Sequence, residues 1–225
     1  MAAPYTALVP MKGHSERVPG KNLKPLGGYP LCFWILRTLE DIDAVARIVV
    51  NTDSDEIAEV CTSEFDVLIH ARPAALHGDE VPMNRIIAWD LDRLEGEHFI
   101  QTHATNPLLR PATLAEALEE YEERGGEHDS LFSVTPHRSR FYDAEGRPVN
   151  HDPGELLPTQ DLPPLLEENS NFYIFSRSSF EATGRRIGRD PILFEMDPLE
   201  AVDIDTPGEW KLAEALLVLR EDVVP

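Results

Sequence analysis

The sequence predicts an α/β protein with a mostly parallel sheet and helices on both of its faces. Three observations carry that expectation. Short apolar or β-branched runs alternate with segments of helical apolar spacing from Tyr5 to Thr135, the pattern of repeated strand–helix units. The first run, Ala7-Leu8-Val9-Pro10, opens at once into a polar loop that holds Gly13 and Gly20 and three cations, Lys12, Arg17 and Lys21. Ligand-binding loops of this kind belong at the carboxyl ends of parallel strands. The alternation then stops at about Pro136 and resumes at Asn171, which sets residues 136–169 apart as an irregular insert.

The elements follow in order. Tyr5 to Pro10 reads as a strand, and Pro30 to Leu39 as a helix with proline in its first turn. Arg47-Ile48-Val49-Val50 is a β-branched strand. Thr52-Asp53-Ser54-Asp55 supplies caps for a helix from about Glu56 to Ser63. Phe65 to His70 is a third strand and Val81 to Leu94 has helical spacing. His98 to Gln101 is a fourth strand, ending in the polar loop Thr102-His103-Ala104-Thr105-Asn106-Pro107. Pro111 to Glu123 is a helix and Ser130 to Thr135 a fifth strand. Residues 136–169 are too long for a structureless loop in a compact domain and read as a β-arm, lid or dimerisation element. Asn171 to Phe175 resumes a strand. Val202-Asp203-Ile204-Asp205 reads as a short strand, and Thr206-Pro207 starts a last helix to about Leu219. The whole, residues 1–225, reads as one domain.

Charge narrows the function classes. Twenty basic residues face 41 acidic ones, a net charge of -21. Phosphate contacts dominate nucleic-acid affinity, so the overall field excludes non-specific nucleic-acid binding. The acidity also fits a surface adapted to high salt. No apolar run is long enough to span a membrane. The opening MAAPYTALVP lacks a basic segment followed by a long apolar one, so the expected location is the cytoplasm. Cys32 and Cys61 read as two reduced structural thiols.

Two features carry chemistry. The loop with Lys12, Arg17 and Lys21 can cradle phosphates, since Gly13 and Gly20 permit close backbone approach. It matches neither a Walker A loop nor G-x-G-x-x-G, and a solvated basic loop is the competing reading. Asp203-x-Asp205 would place two carboxylates on one side of a strand, an arrangement that suits Mg²⁺ shared with substrate phosphates. Asp205 also reads simply as part of a helix start. No Cys/His cluster has zinc spacing, and no serine sits in a G-x-S-x-G elbow.

These segments together resemble the acylneuraminate cytidylyltransferase family, the CMP-sialic and other CMP-nonulosonic acid synthetases, akin to CMP-Kdo synthetases. Leu8 to Asn22 resembles its opening I-P-A-R-x-G-S-K-x-x-x-x-K-N. Thr52-Asp53-Ser54 resembles its T-D-S, and Arg72-Pro73 with Leu76-His77-Gly78-Asp79 its R-P-x-x-L-A-x-D loop. Gln101 to Arg110 resembles L-Q-P-T-S-P-x-R with an insertion, and Ser133-Val134-Thr135 its S-V-T. Thr159 to Pro164 with Glu168-Asn169 resembles R-x-Q-D-x-P-x-x-Y-x-E-N-G, and Val202 to Asp205 the terminal D-I-D motif. Collinearity over nearly the whole chain makes the resemblance specific.

The resemblance implies a Rossmann-like three-layer sandwich and transfer of CMP from CTP to an acidic acceptor, with release of pyrophosphate. It implies that Lys12 and Lys21 bind the triphosphate and act in catalysis. Leu8, Pro10, Met11, Gly13, Arg17, Asn22, Arg72, His77, Gly78 and Asp79 would join them on the nucleotide. Gln101, Thr102, Asn106, Asp161 and Asn169 would face the acceptor, and Asp203 and Asp205 would hold catalytic Mg²⁺. It also implies a homodimer formed through residues 136–169. The chain departs from the pattern at Met11-Lys12, where the family has Ala-Arg, at the insertion His103-Ala104, and at Ser170-Asn171, where the family has Gly-Ala. The last two lie on the acceptor side and leave room for another nonulosonate, a Kdo-like acid or a phosphonate. A sugar-1-phosphate nucleotidyltransferase and a non-catalytic nucleotide-binding regulatory domain are the rival readings.

Overall fold

A computed structural model describes residues 4–218. Its strands are β1 (Tyr5–Met11), β2 (Pro25–Leu26), β3 (Tyr29–Pro30), β4 (Val45–Thr52), β5 (Val67–Ala71), β6 (His98–Thr102), β7 (Ser130–His137), β8 (Leu165–Ser176) and β9 (Pro191–Glu195). Its helices are α1 (Leu31–Glu40), α2 (Asp55–Glu64), α3 (Met83–Leu91), α4 (Pro111–Arg124), α5 (Arg177–Thr183) and α6 (Pro207–Leu217).

Seven strands form one sheet in the order β5-β4-β1-β6-β8-β7-β9. β1 lies parallel to β4 and β6, β4 parallel to β5, and β7 parallel to β9; β8 runs antiparallel to both of its neighbours. The predicted mostly parallel α/β architecture is therefore the observed one. β1 is buried on both faces and its side chains alternate. Ala7, Val9 and Met11 pack with residues of α1, α2 and α4, including Cys32, Ile35, Leu36, Ile57 and Leu114. Leu8 packs on the other face with Ile87 and Leu91 of α3 and Phe180 of α5. These are the three layers.

A third apolar cluster positions the site. Val18 of the opening loop, Leu26, Leu31, Trp34, Ile204 and Trp210 pack together, so the loop and the Asp203–Asp205 segment share one anchor. The β2–β3 hairpin belongs to it and turns through Gly27 and Gly28, both at positive φ. A Cβ on Gly27 would come within 2.4 Å of Leu217, so the turn and the packing of α6 both require glycine there.

Two expectations change, the Val202–Asp205 strand and the start of β8. Val202–Asp205 is not a strand; its recorded backbone hydrogen bond runs from Ile204 N to Thr105 O at 2.9 Å. The alternation survives because Ile204 is fully buried while Asp203 and Asp205 keep partial exposure. The hairpin, α5 and β9 carry too short a pattern to be read from the sequence. β8 begins earlier than Asn171: Leu165 to Glu168 pair with His137 to Val134, so the insert is a two-stranded arm with an irregular tip. The last helix ends at Leu217, and Leu219 lies outside the described residues.

The β7–β8 pairing shifts register between Phe132 and Val134, and Asn169 fills the shift. Its Oδ1 accepts from Ser133 Oγ at 2.6 Å and from Asn171 N at 3.2 Å, and its Nδ2 donates to Thr135 Oγ1 at 3.0 Å. The S-V-T and E-N segments are thus two halves of one buried staple. Ser170, beside it, is left-handed at φ 58.

Candidate active site

β1 delivers Pro10, Met11 and Lys12 to the carboxyl edge of the sheet, at a cleft of about 340 Å³. Lys21 and Asn22, Arg72, Gly78 and Asp79, His103 to Thr105, Ser170, and Asp203 and Asp205 also line it. The opening loop is held by its own chemistry. Asn22 Nδ2 donates to Lys12 O at 2.9 Å, and Gly13 N donates to Asp53 Oδ1 at 2.6 Å. A Cβ at Gly13 would meet Ser54 Cβ at 2.9 Å. The T-D-S segment therefore fixes the loop through Asp53 and caps α2 through Ser54, whose Oγ accepts from Ile57 N.

Lys21 joins the two ends of the chain. Its Nζ donates to Ile204 O at 2.7 Å and to Asp205 Oδ1 at 3.0 Å. Arg17 Nη2 donates to the other oxygen, Asp205 Oδ2, at 2.8 Å. Burial raises the Asp205 pKa, but these two cations outweigh it and hold the carboxyl below the usual range. Asp203 is pushed the other way, by burial first and by Asp205 beside it. Its Oδ1 is buried without a hydrogen-bond partner. Lys12 pairs with Asp79, and that contact holds Asp79 low.

Arg72 is buried and its fork is spent on the protein. Nε donates to Asn51 Oδ1 at 2.7 Å, and Nη2 to Asn51 O and Met11 O at 2.8 and 3.1 Å. Behind it, Asp90 Oδ1 takes Asn51 Nδ2 at 2.7 Å and His70 Nδ1 at 2.6 Å. Burial lowers the Arg72 pKa. His77 Nε2 lies 2.9 Å from Arg72 O and ties down the Gly78–Asp79 loop.

The acceptor-side expectations gather differently. Gln101 is fully buried, with Nε2 donating to Thr102 O at 2.7 Å and Oε1 accepting from Arg186 Nη1. Burial, then Arg186 and Lys21, push the His103 imidazole down to about 3, so it is neutral at working pH. Thr102 and Asn106 are fully buried, and neither Thr102 Oγ1 nor the Asn106 amide has a partner among the described residues.

A larger cavity, about 810 Å³, opens near Tyr5 and His98, the first residues of β1 and β6, away from all of these groups. Glu97, Glu122 and Asp129 line it with His98, His128 and Arg189, and none of the residues expected at the site joins them.

Comparison with known proteins decides the family. The profile of the family described as cytidylyltransferase matches residues 6–223. The chain belongs to the cytidylyltransferase family. N-acylneuraminate cytidylyltransferase A of Danio rerio is 31% identical over 217 residues, covering 93% of this chain and 50% of that protein. The Oncorhynchus mykiss N-acylneuraminate cytidylyltransferase is 34% identical, covering 92% and 49%. The chain thus spans about half the length of these two relatives. CMP-N,N'-diacetyllegionaminic acid synthase of Legionella pneumophila is 28% identical over 233 residues, covering 97% of this chain and 98% of that one. In fold, the chain is similar to a CMP:2-keto-3-deoxy-manno-octonic acid synthetase complexed with CTP, with TM-score 0.70 and 14% identity, covering 96% and 99%.

Two residues expected at the site of this cytidylyltransferase-family chain, Leu8 and Asn169, are committed elsewhere. Leu8 lies in the core on the α3 face, 1% exposed, and shapes β1 without reaching the cleft. Asn169 spends its amide on the β7–β8 staple. Asp161, exposed on a 3-10 turn of the arm, does not line the cleft of its own chain; the resemblance would bring it to a partner's site. Arg186 was not anticipated; it stands in the Gly184–Arg189 connection, where no motif marks it.

Proposed function

We propose that this chain is a CTP-dependent nucleotidyltransferase that moves CMP from CTP to a nonulosonic, sialic-type sugar acid and releases pyrophosphate. One observation carries the reading: Lys21 bonds both Ile204 O and Asp205, so the cationic loop and the aspartate pair face one cleft. Family membership and the near full-length likeness to a CMP-N,N'-diacetyllegionaminic acid synthase support the reaction and the acceptor class.

In-line attack of an acceptor hydroxyl on the α-phosphorus asks mainly for positioning and charge neutralisation. Lys12, Lys21 and Arg17 supply positive charge on the triphosphate side. Asn22 and Asp53 hold the loop in the shape that presents it. Asp203 fits Mg²⁺, since its Oδ1 is a buried hard oxygen with no hydrogen-bond partner and Mg²⁺ takes one or two carboxylates plus phosphate oxygens; Asp205, whose oxygens accept from Lys21 and Arg17, would be the second ligand. Bound there, the ion would neutralise phosphate charge and lower the pKa of an attacking oxygen. Among the described residues no group of three or more His, Cys, Asp or Glu forms a protein-only cage.

The test is pyrophosphate release from each of the four nucleoside triphosphates with N-acetylneuraminic, N,N'-diacetyllegionaminic and 2-keto-3-deoxy-manno-octonic acids. CTP with at least one acid should far exceed every other pair. Release with sugar 1-phosphates instead would overturn the reading. The same assay from dilute to molar salt reads the acidic surface, which we take as adaptation to high salt. A cytoplasmic location, in which Cys32 and Cys61 would stay reduced, is part of the same reading.

The arm is proposed as the homodimer contact. It exposes Tyr142, Val149, Leu156, Leu157 and Leu166, an apolar group that water alone would not favour. Light scattering should report a dimer, and L156E together with L166E should yield a monomer with native circular dichroism. A wild-type monomer would remove this assignment.

A further inference from the structure

We infer that Arg186 is the receptor for the acceptor's carboxylate, and so the residue that makes this site select acids. The inference rests on the proposed CMP transfer to a sugar acid.

The other cations of the cleft are already occupied. Lys12 pairs with Asp79; Lys21 and Arg17 share Asp205; Arg72 donates through Nε and Nη2 to oxygens of Asn51 and Met11. Arg186 differs. Its guanidinium carbon lies over the Tyr173 ring, 3.5 Å from the centroid, and its side chain is 16% exposed. Nη1 donates to Gln101 Oε1 and lies 3.3 Å from His103 Nε2. Neither Nε nor Nη2 makes a hydrogen bond among the described residues. The nearest carboxylate oxygen, Glu168 Oε1, is 3.8 Å from Nη2, beyond hydrogen-bond range, and the Tyr173 hydroxyl donates to it. The guanidinium is therefore pre-oriented by an aromatic face and an amide, with Nε and Nη2 to spare and Glu168 only as a loose ion-pair partner. That is the state a planar, bidentate anion needs.

Position agrees with chemistry. In a 2-keto sugar acid the carboxylate is attached to the carbon that carries the attacking hydroxyl. Its receptor must then sit beside the triphosphate site. His103 and Ser170 both line the cleft with Lys21 and Asp205, and both touch the Arg186 group, His103 through Nη1 and Ser170 through the Tyr173 hydroxyl. His103 contacts the guanidinium as a neutral ring, so it neither repels an incoming acid nor satisfies it.

The experiment measures equilibrium binding of the three acids named above, and of their carboxamides, to the CTP-bound protein without Mg²⁺. Wild type should bind at least one acid roughly 100-fold tighter than its carboxamide, the scale of losing charge-assisted hydrogen bonds. Arg186→Met should bind acid and carboxamide alike, with CTP affinity within about 3-fold of wild type. Arg186→Lys keeps a point charge without the fork and should restore part of the preference. Thermal midpoints guard against a folding defect, and Arg186→Lys decides if Arg186→Met does not fold. Acid preference undiminished in both variants would overturn the assignment, as would equal binding of acid and carboxamide, or no acid binding, in wild type. If no acid supports pyrophosphate release yet the preference for acids disappears with Arg186, the proposed reaction fails and the carboxylate site stands.

Discussion

Replacing Lys21 with alanine should lower turnover with CTP by about 100- to 1000-fold, the usual cost of removing one preorganised electrostatic stabiliser. Lys21 is the least exposed of the cleft's lysines, at 11% for its side chain, so its charge is less screened than that of Lys12 at 46%. Charge builds on the leaving pyrophosphate during the reaction, and a fixed ammonium acts most strongly on charge that develops. The loss should therefore fall on kcat as well as on KM for CTP. The variant should also be less stable by about 1–3 kcal/mol, because Ile204 O and Asp205 lose their shared donor. Lys12→Ala should cost less in both measurements, since that lysine is half exposed and paired only with Asp79. Pyrophosphate release and urea midpoints on both variants check this. Wild-type turnover in Lys21→Ala would remove the triphosphate role.

The sequence made the framework legible where physics is local. β1, the Ser54 cap of α2 and the start of α6 at Thr206-Pro207 follow from apolar runs and capping side chains within a few residues. The cationic loop and the aspartate pair were legible as chemistry and collinear with a family pattern. What stayed hidden depends on contacts distant in sequence. Asn169 looked like a substrate ligand because its motif neighbours suggested one, but its amide is spent on residues 34 and 36 positions away in β7. Leu8 stands within the loop motif, yet strand alternation turns it to the opposite face from Val9. Arg186 belongs to no pattern; its meaning comes only from Gln101 and Tyr173, which two antiparallel neighbours, β6 and β8, set side by side. The antiparallel direction of β8 was equally hidden, since alternation is the same in either direction.

Replacing Asp203 with asparagine should separate stability from activity. In the ligand-free protein its carboxyl is partly buried, one oxygen is orphaned, and Asp205 stands two residues away. Burial raises its pKa, so its contribution to stability is full below the unfolded value and is lost as pH rises through the folded one. At neutral pH the fold thus carries a charge whose burial is offset only in part, by Thr105 and Lys21. Asparagine keeps the shape and removes that charge, so the variant should be more stable in chelator by on the order of 1 kcal/mol. Turnover should nevertheless fall by at least about 100-fold, because a hard anionic oxygen is lost from the proposed Mg²⁺ pair. The two states should also respond differently to ligand. Mg²⁺ with a non-reacting CTP analogue should raise the wild-type midpoint by preferential binding to the folded form, and should raise the variant's far less. Asp205→Asn makes the contrast: its carboxyl is held by Lys21 and Arg17, so the same change should destabilise. Undiminished turnover in Asp203→Asn would remove the metal role, and a lower midpoint in chelator would show that the charge is compensated in the ligand-free fold.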